Sequence, residues 1–237
     1  MSSSDIVESA LSEGRTKLLE HEALRLMEPY GIKVADYGFA ATPAEAGLVS
    51  EKIGYPVVVK VVSPDISHKT DVGGVILGLK SRDEVVQGCE RIVKNVSERQ
   101  PGARVTGFLV QKMMPPGLEV IIGATRDQVF GPVIMFGLGG IFVEVLRDVT
   151  FRVAPVSLQD ALEMLGEIKA SKILDGYRSQ PPVDKKAIAS MIVSLSKLME
   201  ENPYISSVDL NPVIAYSSGA VVVDARVIIG KAGVVNR

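Results

Sequence analysis

The stretch Pro56–Leu79, PVVVKVVSPDISHKTDVGGVILGL, decides the fold. Its first part, Val57–Val62, consists of apolar β-formers around Lys60 and predicts a buried strand. The polar residues that follow and a glycine pair predict a loop, which leads into a second strand over Val75–Leu79. A strand, a polar loop and a strand in this order are typical of a lid that closes over a small anion.

Lys60 and His68 each allow two interpretations when the residues alone are considered. An ammonium group inside an apolar strand needs an anion. Lys60 therefore either extends to water at the sheet edge or binds the phosphate groups of a nucleotide. His68 is either a surface histidine or a functional group, which accepts phosphate, acts as a general acid or donates to a phosphate oxygen. Its neighbours Ser67, Lys69 and Thr70 provide an anion-friendly setting.

Composition limits the classes of function that are open to the chain. The 237 residues, 46% hydrophobic and 23% charged, suit one two-lobed enzyme or two small domains. The net charge of -2 argues against a nucleic acid or an anionic membrane as a partner. The single cysteine, Cys89, predicts a reducing, cytoplasmic location. No apolar run approaches the roughly 18 residues of a membrane span.

Helix and strand patterns alternate along the chain and predict an α+β fold. The predicted helices are Ser4–Leu11, Thr16–Tyr30, Pro43 to Lys52 after a Thr42 cap, a helix from the Ser81 cap to Arg99, one after Ser157, and one from the Asp184 cap to Met199. The predicted strands besides those above are Ile32–Tyr37, Thr106–Gln111, Leu118–Ala124, Pro132–Phe136, Ile141–Val145, Ile205–Leu210, Val213–Tyr216 and Ala220–Val223. We predict an N-terminal helical segment over residues 1–19, one lobe over 20–105 and a second over 106–237.

Asp209, Asn211 and Asp224 form the candidate metal site. Asp209 and Asn211 share one face of a strand, and the hairpin around Ser217–Gly219 brings Asp224 beside them. Their oxygens are hard ligands that suit Mg²⁺. Turn chemistry explains each residue taken singly, but the matching depth of the residues on two strands favours the metal.

Three further features of the second half of the chain could contact a ligand. Glu119 begins an apolar strand after the bend Gln111–Met114, which has the composition of a linker that holds an adenine ring. Gly137–Gly140 (GLGG) lacks the lysine of a P-loop and predicts a close approach of the backbone to a ligand or partner. Arg152 is either a surface arginine or a phosphate partner.

Three motifs resemble a known family: SHKTDVGGV at Ser67–Val75, EVIIGATRDQVFGPVIMFGLGGIFVEVLRDVTFR at Glu119–Arg152 and VDLNPV at Val208–Val213. They are similar to the β subunit of ADP-forming acyl-CoA (acetate–CoA) synthetases, and more distantly to the succinyl-CoA synthetase β subunit. The resemblance covers about residues 10 to 230. It implies an ATP-grasp fold, two α+β lobes with the nucleotide between them.

The resemblance also implies roles for the matching residues. Lys60, His68 and Arg152 are the implied catalytic residues, with Lys60 binding ATP phosphates and His68 taking part in phosphoryl transfer. Asn211 and Asp224 would hold Mg²⁺. The implied residues that bind ATP or ADP are Lys60, Val62, Ser67, His68, Gln111, Lys112, Met113, Met114, Glu119 and Asp209, with Gln111–Met114 at the adenine and Glu119 at the ribose.

In the family, the CoA-binding domains and the principal phosphohistidine belong to an α subunit, and this chain has no glycine fingerprint for a CoA-binding domain. The chain is therefore expected to be half of an enzyme, with an α₂β₂ assembly implied by the family. The reaction would be acyl-CoA + ADP + phosphate ⇌ carboxylate + ATP + CoA. Two alternatives are a stand-alone ATP-grasp carboxylate ligase and a non-enzymatic nucleotide-binding regulatory subunit.

Overall fold

The computed structural model describes residues 3–140, 148–177 and 181–230. The chain divides into two compact units, a smaller one of Leu19–His21 and Ala35–Pro115 and a larger one of Met1–Leu18, Glu22–Val34 and Pro116–Arg237. We predicted that the second lobe begins at residue 106. The strand Gly107–Lys112 instead pairs with Val57–Val62 in the smaller unit, so the division falls after Pro115.

Helices and strands alternate in both units. The helices are α1 (Ser3–Ser12), α2 (Glu20–Met27), α3 (Pro43–Ile53), α4 (Arg82–Arg99), α5 (Leu158–Glu167) and α6 (Lys185–Glu201), with 3-10 turns at Glu28–Tyr30 and Ser171–Asp175. The strands are β1 (Tyr37–Ala40), β2 (Val57–Val62), β3 (Val75–Leu79), β4 (Gly107–Lys112), β5 (Leu118–Asp127), β6 (Gly131–Leu138), β7 (Val149–Val153), β8 (Ile205–Ala215), β9 (Ala220–Val222) and β10 (Ala225–Ile229). Within the described ranges, none of the helices has the length and apolarity needed to cross a bilayer.

The smaller unit is built on a four-stranded antiparallel sheet in the order β1-β4-β2-β3. All residues of β2 are buried, which confirms the buried strand that the sequence predicts. One face of the sheet packs against α4, and the residues of this core include Val57, Val59, Val61, Val85, Cys89, Ile92, Val96, Phe108 and Val110. Side chains alternate between the two faces of a strand, so Lys60 points away from this core.

The larger unit contains an antiparallel sheet in the order β10-β8-β5-β6-β7, with β9 paired to β8. Ile122 lies opposite Leu210 on one side and Phe136 on the other, and all three are fully buried. Helix α6 packs on β5 and β6, and α5 packs on α6 and β7. The helices therefore cover the sheet face that carries Ile122.

The predicted helix caps are confirmed. The hydroxyl of Thr42 accepts from the N–H of Glu45, and the hydroxyl of Ser81 accepts from the N–H of Glu84. Ser157 forms a capping box with Asp160, the third residue of α5. Each side chain satisfies an amide that the first helical turn leaves without a backbone partner.

Two segments differ from the sequence prediction because they pair with strands of the larger sheet. We predicted a helix from Thr16, but Leu18 donates to the carbonyl of Val227 and Ile229 donates to Thr16, and α2 begins at Glu20. The predicted strand Ile32–Tyr37 is reduced to a bridge between Val34 and Val222. In both segments, backbone partners far along the chain outweigh local propensity.

Strand β8 continues through Asn211 and Pro212, where we predicted that it would end. Proline cannot donate to a ladder and is tolerated at bulges. The pairing of β5 with β8 shifts register between Val120 and Ile122, and this bulge accommodates Pro212. The hairpin around Ser217–Gly219 is confirmed, since Val213 pairs with Val222. The predicted strand Ile141–Val145 lies outside the described residues.

Candidate functional site

Lys60 forms an ion pair within the smaller unit. Its side chain is 6% exposed, and Nζ donates to Oε1 of Glu20 over 2.6 Å. The sequence predicted that an anion was required but gave no sign of Glu20, because 40 residues separate the pair. The alternative that Lys60 extends to water at the sheet edge is wrong.

The loop after β2 is anchored by the same carboxylate. Nζ of Lys69 lies 3.0 Å from Oε2 of Glu20, so one buried carboxylate bridges two ammonium groups. The adjacent His68 is exposed, as is Ser67, whereas Val62 at the end of β2 is buried. The loop thus presents His68 to solvent while Lys69 ties it down.

The glycine pair that follows this loop is required by packing. A Cβ on Gly74 would lie 2.5 Å from Cγ1 of Val61, and its N–H donates to the carbonyl of Lys69 over 2.7 Å. Gly73 has a φ of +64° and accepts a hydrogen bond from Asn95 of α4. We interpreted the pair as part of a flexible lid, but in the structure these contacts fasten it to β2 and α4.

The predicted adenine segment begins inside β4. Gln111 is fully buried, and neither polar atom of its side-chain amide has a hydrogen-bond partner in the part of the chain that the structure describes. An amide buried in this way costs about 1–3 kcal/mol per unsatisfied group unless a ligand satisfies it. Lys112 donates to the carbonyls of Gly54 and Tyr55 over 3.0 and 2.8 Å. Met113 is 37% exposed, and Met114 is partly buried.

Glu119 is an exposed residue of β5 in the larger unit, and two glycines pack against it. Gly139 donates to the carbonyl of Glu119 over 2.8 Å, and a Cβ on Gly140 would lie 3.4 Å from Oε2 of Glu119. We predicted that Gly137–Gly140 brings the backbone close to a ligand or partner; the close approach that the structure shows is to Glu119 of the same chain. Gly137 and Leu138 belong to β6 and are not part of a loop.

The structure brings the three candidate metal ligands together. Asn211 donates its N–H to the carbonyl of Asp224 over 3.1 Å. The pKa of Asp209 is raised above its usual value, first by burial and then by the negative charge of Asp224, while Arg226 opposes the shift. Asp209 pairs with Gly123, whose neighbour Ile122 points into the core, so Asp209 lies on the sheet face away from the helices.

This donor set fits Mg²⁺ on chemical grounds. The negative charge of Asp224 contributes to the raised pKa of Asp209, and a divalent cation would relieve this repulsion, while an amide oxygen completes a hard, all-oxygen set. The described residues contain no cluster of three His, Cys, Asp or Glu side chains suited to a metal. The set therefore depends on Asn211, and the remaining positions would be filled by phosphate oxygens or water.

Arg152 does not join the metal ligands. It lies on β7 opposite Ile134, a buried core residue, and its guanidinium pairs with both carboxylate oxygens of Glu167 on α5. Arg152 therefore lies on the helix-covered side of the sheet, opposite to Asp209. Glu144 and Arg147, which follow the glycines, lie outside the described residues.

Two polar side chains that the sequence did not reveal, the buried Asp148 and the partly buried Arg126, hold the larger unit together. Asp148 accepts from the N–H groups of Lys169 and Ala170, and Arg126 donates to the carbonyls of Met199, Asn202 and Ile205. Each satisfies backbone groups near a helix end. These contacts span long sequence separations, so no local pattern could have predicted them.

Comparison with known proteins assigns a fold family and a group of relatives. The family model of the ATP-grasp domain matches residues 9–229. This match confirms the predicted fold class.

Two curated archaeal relatives match most of the chain. The subunit beta of ADP-forming acetate–CoA ligase I from Pyrococcus furiosus is 47% identical over 225 residues, which cover 95% of this chain and 97% of that relative. ADP-forming acetate–CoA ligase I from Archaeoglobus fulgidus is 48% identical over 227 residues, which cover 96% of this chain and 33% of that relative. The chain therefore spans about a third of the longer relative.

A solved structure also matches nearly the whole chain. The dinucleotide forming acetyl-coenzyme A synthetase 1 of Ca. Korarchaeum cryptofilum, in complex with coenzyme A, Ca-AMPCP and HgCl⁺, gives a TM-score of 0.94 at 49% identity. The match covers 97% of this chain and 100% of that chain.

Proposed function

Since the chain belongs to the ATP-grasp family and, within it, to the β subunits of ADP-forming acetate–CoA ligases, we propose that it is the nucleotide-binding half of an acyl-CoA synthetase. The reaction is acyl-CoA + ADP + phosphate ⇌ carboxylate + CoA + ATP. The observation that carries the proposal is the match to 97% of the Pyrococcus furiosus β subunit at 47% identity. A β subunit acts with an α subunit, and the longer Archaeoglobus fulgidus relative has room for both in one chain.

The smaller unit supplies the groups for the phosphates and the base. Lys60 binds the phosphates as a point charge on a rigid strand, with Val62 and Ser67 lining the site. The buried amide of Gln111, together with Lys112, Met113 and Met114, binds the adenine, which supplies the partners that Gln111 lacks among the described residues.

The larger unit supplies the metal ligands and the ribose contact. Asn211 and Asp224 hold Mg²⁺ and Asp209 lies beside them, while Glu119, fixed by Gly139, binds the ribose. When bound, Mg²⁺ neutralises charge on the transferring phosphoryl group. The calcium-bound analogue in the solved relative supports a divalent cation with the nucleotide.

His68 is the group through which phosphate would pass. In the proposed sequence, phosphate displaces CoA from acyl-CoA to give an acyl phosphate, which phosphorylates a histidine of the α subunit and releases the carboxylate. The phosphoryl group then reaches ADP by way of His68, whose exposed position leaves it accessible to a partner segment. We assign Arg152 a secondary role in catalysis, because it is already paired with Glu167.

The partner, stoichiometry and location complete the proposal. An α subunit supplies the CoA-binding domains and the principal phosphohistidine, and we propose an α₂β₂ assembly. A cytoplasmic location is supported by the single, buried Cys89, which has no disulfide partner in the chain.

The test is ATP formation from acetyl-CoA, ADP and phosphate, measured with this chain, with its co-expressed genomic neighbour, and with both together. Activity is expected only from the complex, and Lys60→Ala and His68→Ala should each abolish it. Lys80→Ala, which removes an exposed lysine of the same unit, is the matched control and should retain activity. Turnover by the isolated chain would favour a stand-alone ligase, and an unchanged rate in the Lys60 and His68 variants would favour a regulatory subunit.

A further inference from the structure

The buried carboxylate of Glu20 joins β2 to the loop that carries His68 through two ion pairs. Its side chain is 5% exposed, its Oε1 accepts from Lys60 over 2.6 Å, and its Oε2 lies 3.0 Å from Lys69. Lys69 directly follows His68. The carboxylate therefore connects the phosphate-binding lysine to the backbone beside the histidine.

One carboxylate holds both ammonium groups of this cluster, with Lys60 at 2.6 Å and Lys69 at 3.0 Å. Without the carboxylate, two partly desolvated like charges would repel, because the effective dielectric constant is low where side chains are 6% and 22% exposed. Lys69 is the more exposed of the two and belongs to a loop, whereas Lys60 lies within the buried strand β2, so the loop, and not β2, would yield.

We propose that Glu20 is a positioning residue, which fixes the His68 loop relative to Lys60 by holding Lys60 and Lys69 on one carboxylate. The inference rests on the proposed function, since it assumes that phosphate passes between His68 and a nucleotide at Lys60. Glu20 itself does not contact the reacting atoms. Its effect is to keep the histidine at a fixed distance from the phosphates, and misplacement by about 1 Å costs up to roughly a hundredfold in rate.

A positioning role of Glu20 and a role in nucleotide binding predict opposite effects of the substitution Glu20→Gln. The substitution removes negative charge beside Lys60, so the affinity for Mg-ADP should stay the same or rise. The kcat of the complex with its partner should fall between about tenfold and about a hundredfold. In the isolated chain, backbone amides of residues 66–72 should exchange with deuterium about tenfold faster.

Two further variants keep the test decisive. Lys69→Met leaves the pair of Lys60 and Glu20 intact and should loosen the same loop, even where Glu20→Gln fails to fold. Glu22→Gln is the matched control, because Glu22 lies in the same helix and pairs with Arg15 over 2.6 and 2.9 Å. It should change neither the exchange of residues 66–72 nor the kcat.

The inference would be overturned if the amide exchange of residues 66–72 and the kcat were the same in Glu20→Gln as in Glu22→Gln. A loss of Mg-ADP affinity in Glu20→Gln with kcat unchanged would also overturn it, since Glu20 would then serve binding. A wild-type chain that binds no Mg-ADP would overturn the proposed function instead, and loop exchange in the isolated chain would still show whether Glu20 holds the loop.

Discussion

The N–H of Asn211 donates to the carbonyl oxygen of Asp224 over 3.1 Å, although 13 positions separate the two residues along the chain. This hydrogen bond holds the end of the β9–β10 connection against the bulge in β8. Because this contact fixes the backbone at both candidate ligands, a metal bound there would require little rearrangement of the main chain. A preformed set loses little conformational entropy on binding.

Removal of either ligand should therefore weaken Mg²⁺-dependent nucleotide binding. Asn211→Ala and Asp224→Asn are each expected to lower the affinity for Mg-ADP at least about tenfold, the loss seen when even outer-shell partners of a metal are removed. Isothermal titration with and without Mg²⁺ measures it. Asp83→Asn, at an exposed position in the first turn of α4, should bind like the wild type. An ADP affinity that ignores Mg²⁺ in the wild type would contradict the assignment.

Substitutions in the ion pair of Arg152 and Glu167 can distinguish a structural role of the arginine from a catalytic one. The guanidinium of Arg152 donates to both carboxylate oxygens of Glu167, and Nη1 lies 3.0 Å from Oε2. This hydrogen bonding lowers the pKa of Glu167. In a double-mutant cycle of Arg152→Ala and Glu167→Gln, we expect a coupling of about 0.2–1 kcal/mol in unfolding free energy, as for other exposed pairs. Turnover that falls in Arg152→Ala but not in Glu167→Gln would instead show that the arginine meets phosphate.

Substitution of Gly74 tests whether the glycine pair is required for close packing against β2. An added Cβ would lie 2.5 Å from Val61 and 3.0 Å from the carbonyl oxygen of Lys69, so Gly74→Ala should lower the unfolding free energy by about 1–3 kcal/mol. Gly166→Ala in α5 meets nothing within 4 Å and should raise stability by about 0.5–1 kcal/mol. Urea unfolding of both variants measures the contrast. Equal stabilities of Gly74→Ala and the wild type would support the flexible lid.

The local features of the fold were predictable from the sequence because they depend on neighbours. The caps at Thr42, Ser81, Ser157 and Asp184 each act on residues within one helical turn. The buried strand Val57–Val62 and the hairpin around Ser217–Gly219 also follow from short patterns. Asp209, Asn211 and Asp224 could be grouped because a hairpin joins their strands.

Features that depend on distant parts of the chain could not be predicted. The placement of β4 between β1 and β2 depends on pairing across the smaller sheet, and the start of α2 at Glu20 depends on pairing of residues 16–18 with β10. Glu20 itself resembles any exposed helical glutamate until β2 lies beside it. The pairing of Arg152 with Glu167 could not be predicted either, because the sequence does not show that the neighbour of Arg152 across the sheet is the core residue Ile134.

The burial of Cys89 determines the direction in which the unfolding free energy of the protein changes with pH. The thiol is fully buried in the core of the smaller unit, and desolvation, aided by the charge of Glu90, raises its pKa from 9.0 to about 12. Between these values the unfolded thiol ionises while the folded one keeps its proton, so stability present below pH 9.0 is lost as pH rises towards 12. The unfolding temperatures of the wild type and Cys89→Ala should differ most at pH 8 and converge as pH increases, because only the wild type loses this contribution. At pH 8, a thiol-specific disulfide reagent should react only as fast as the smaller unit opens, and immediate reaction with the native chain would show that Cys89 is not buried.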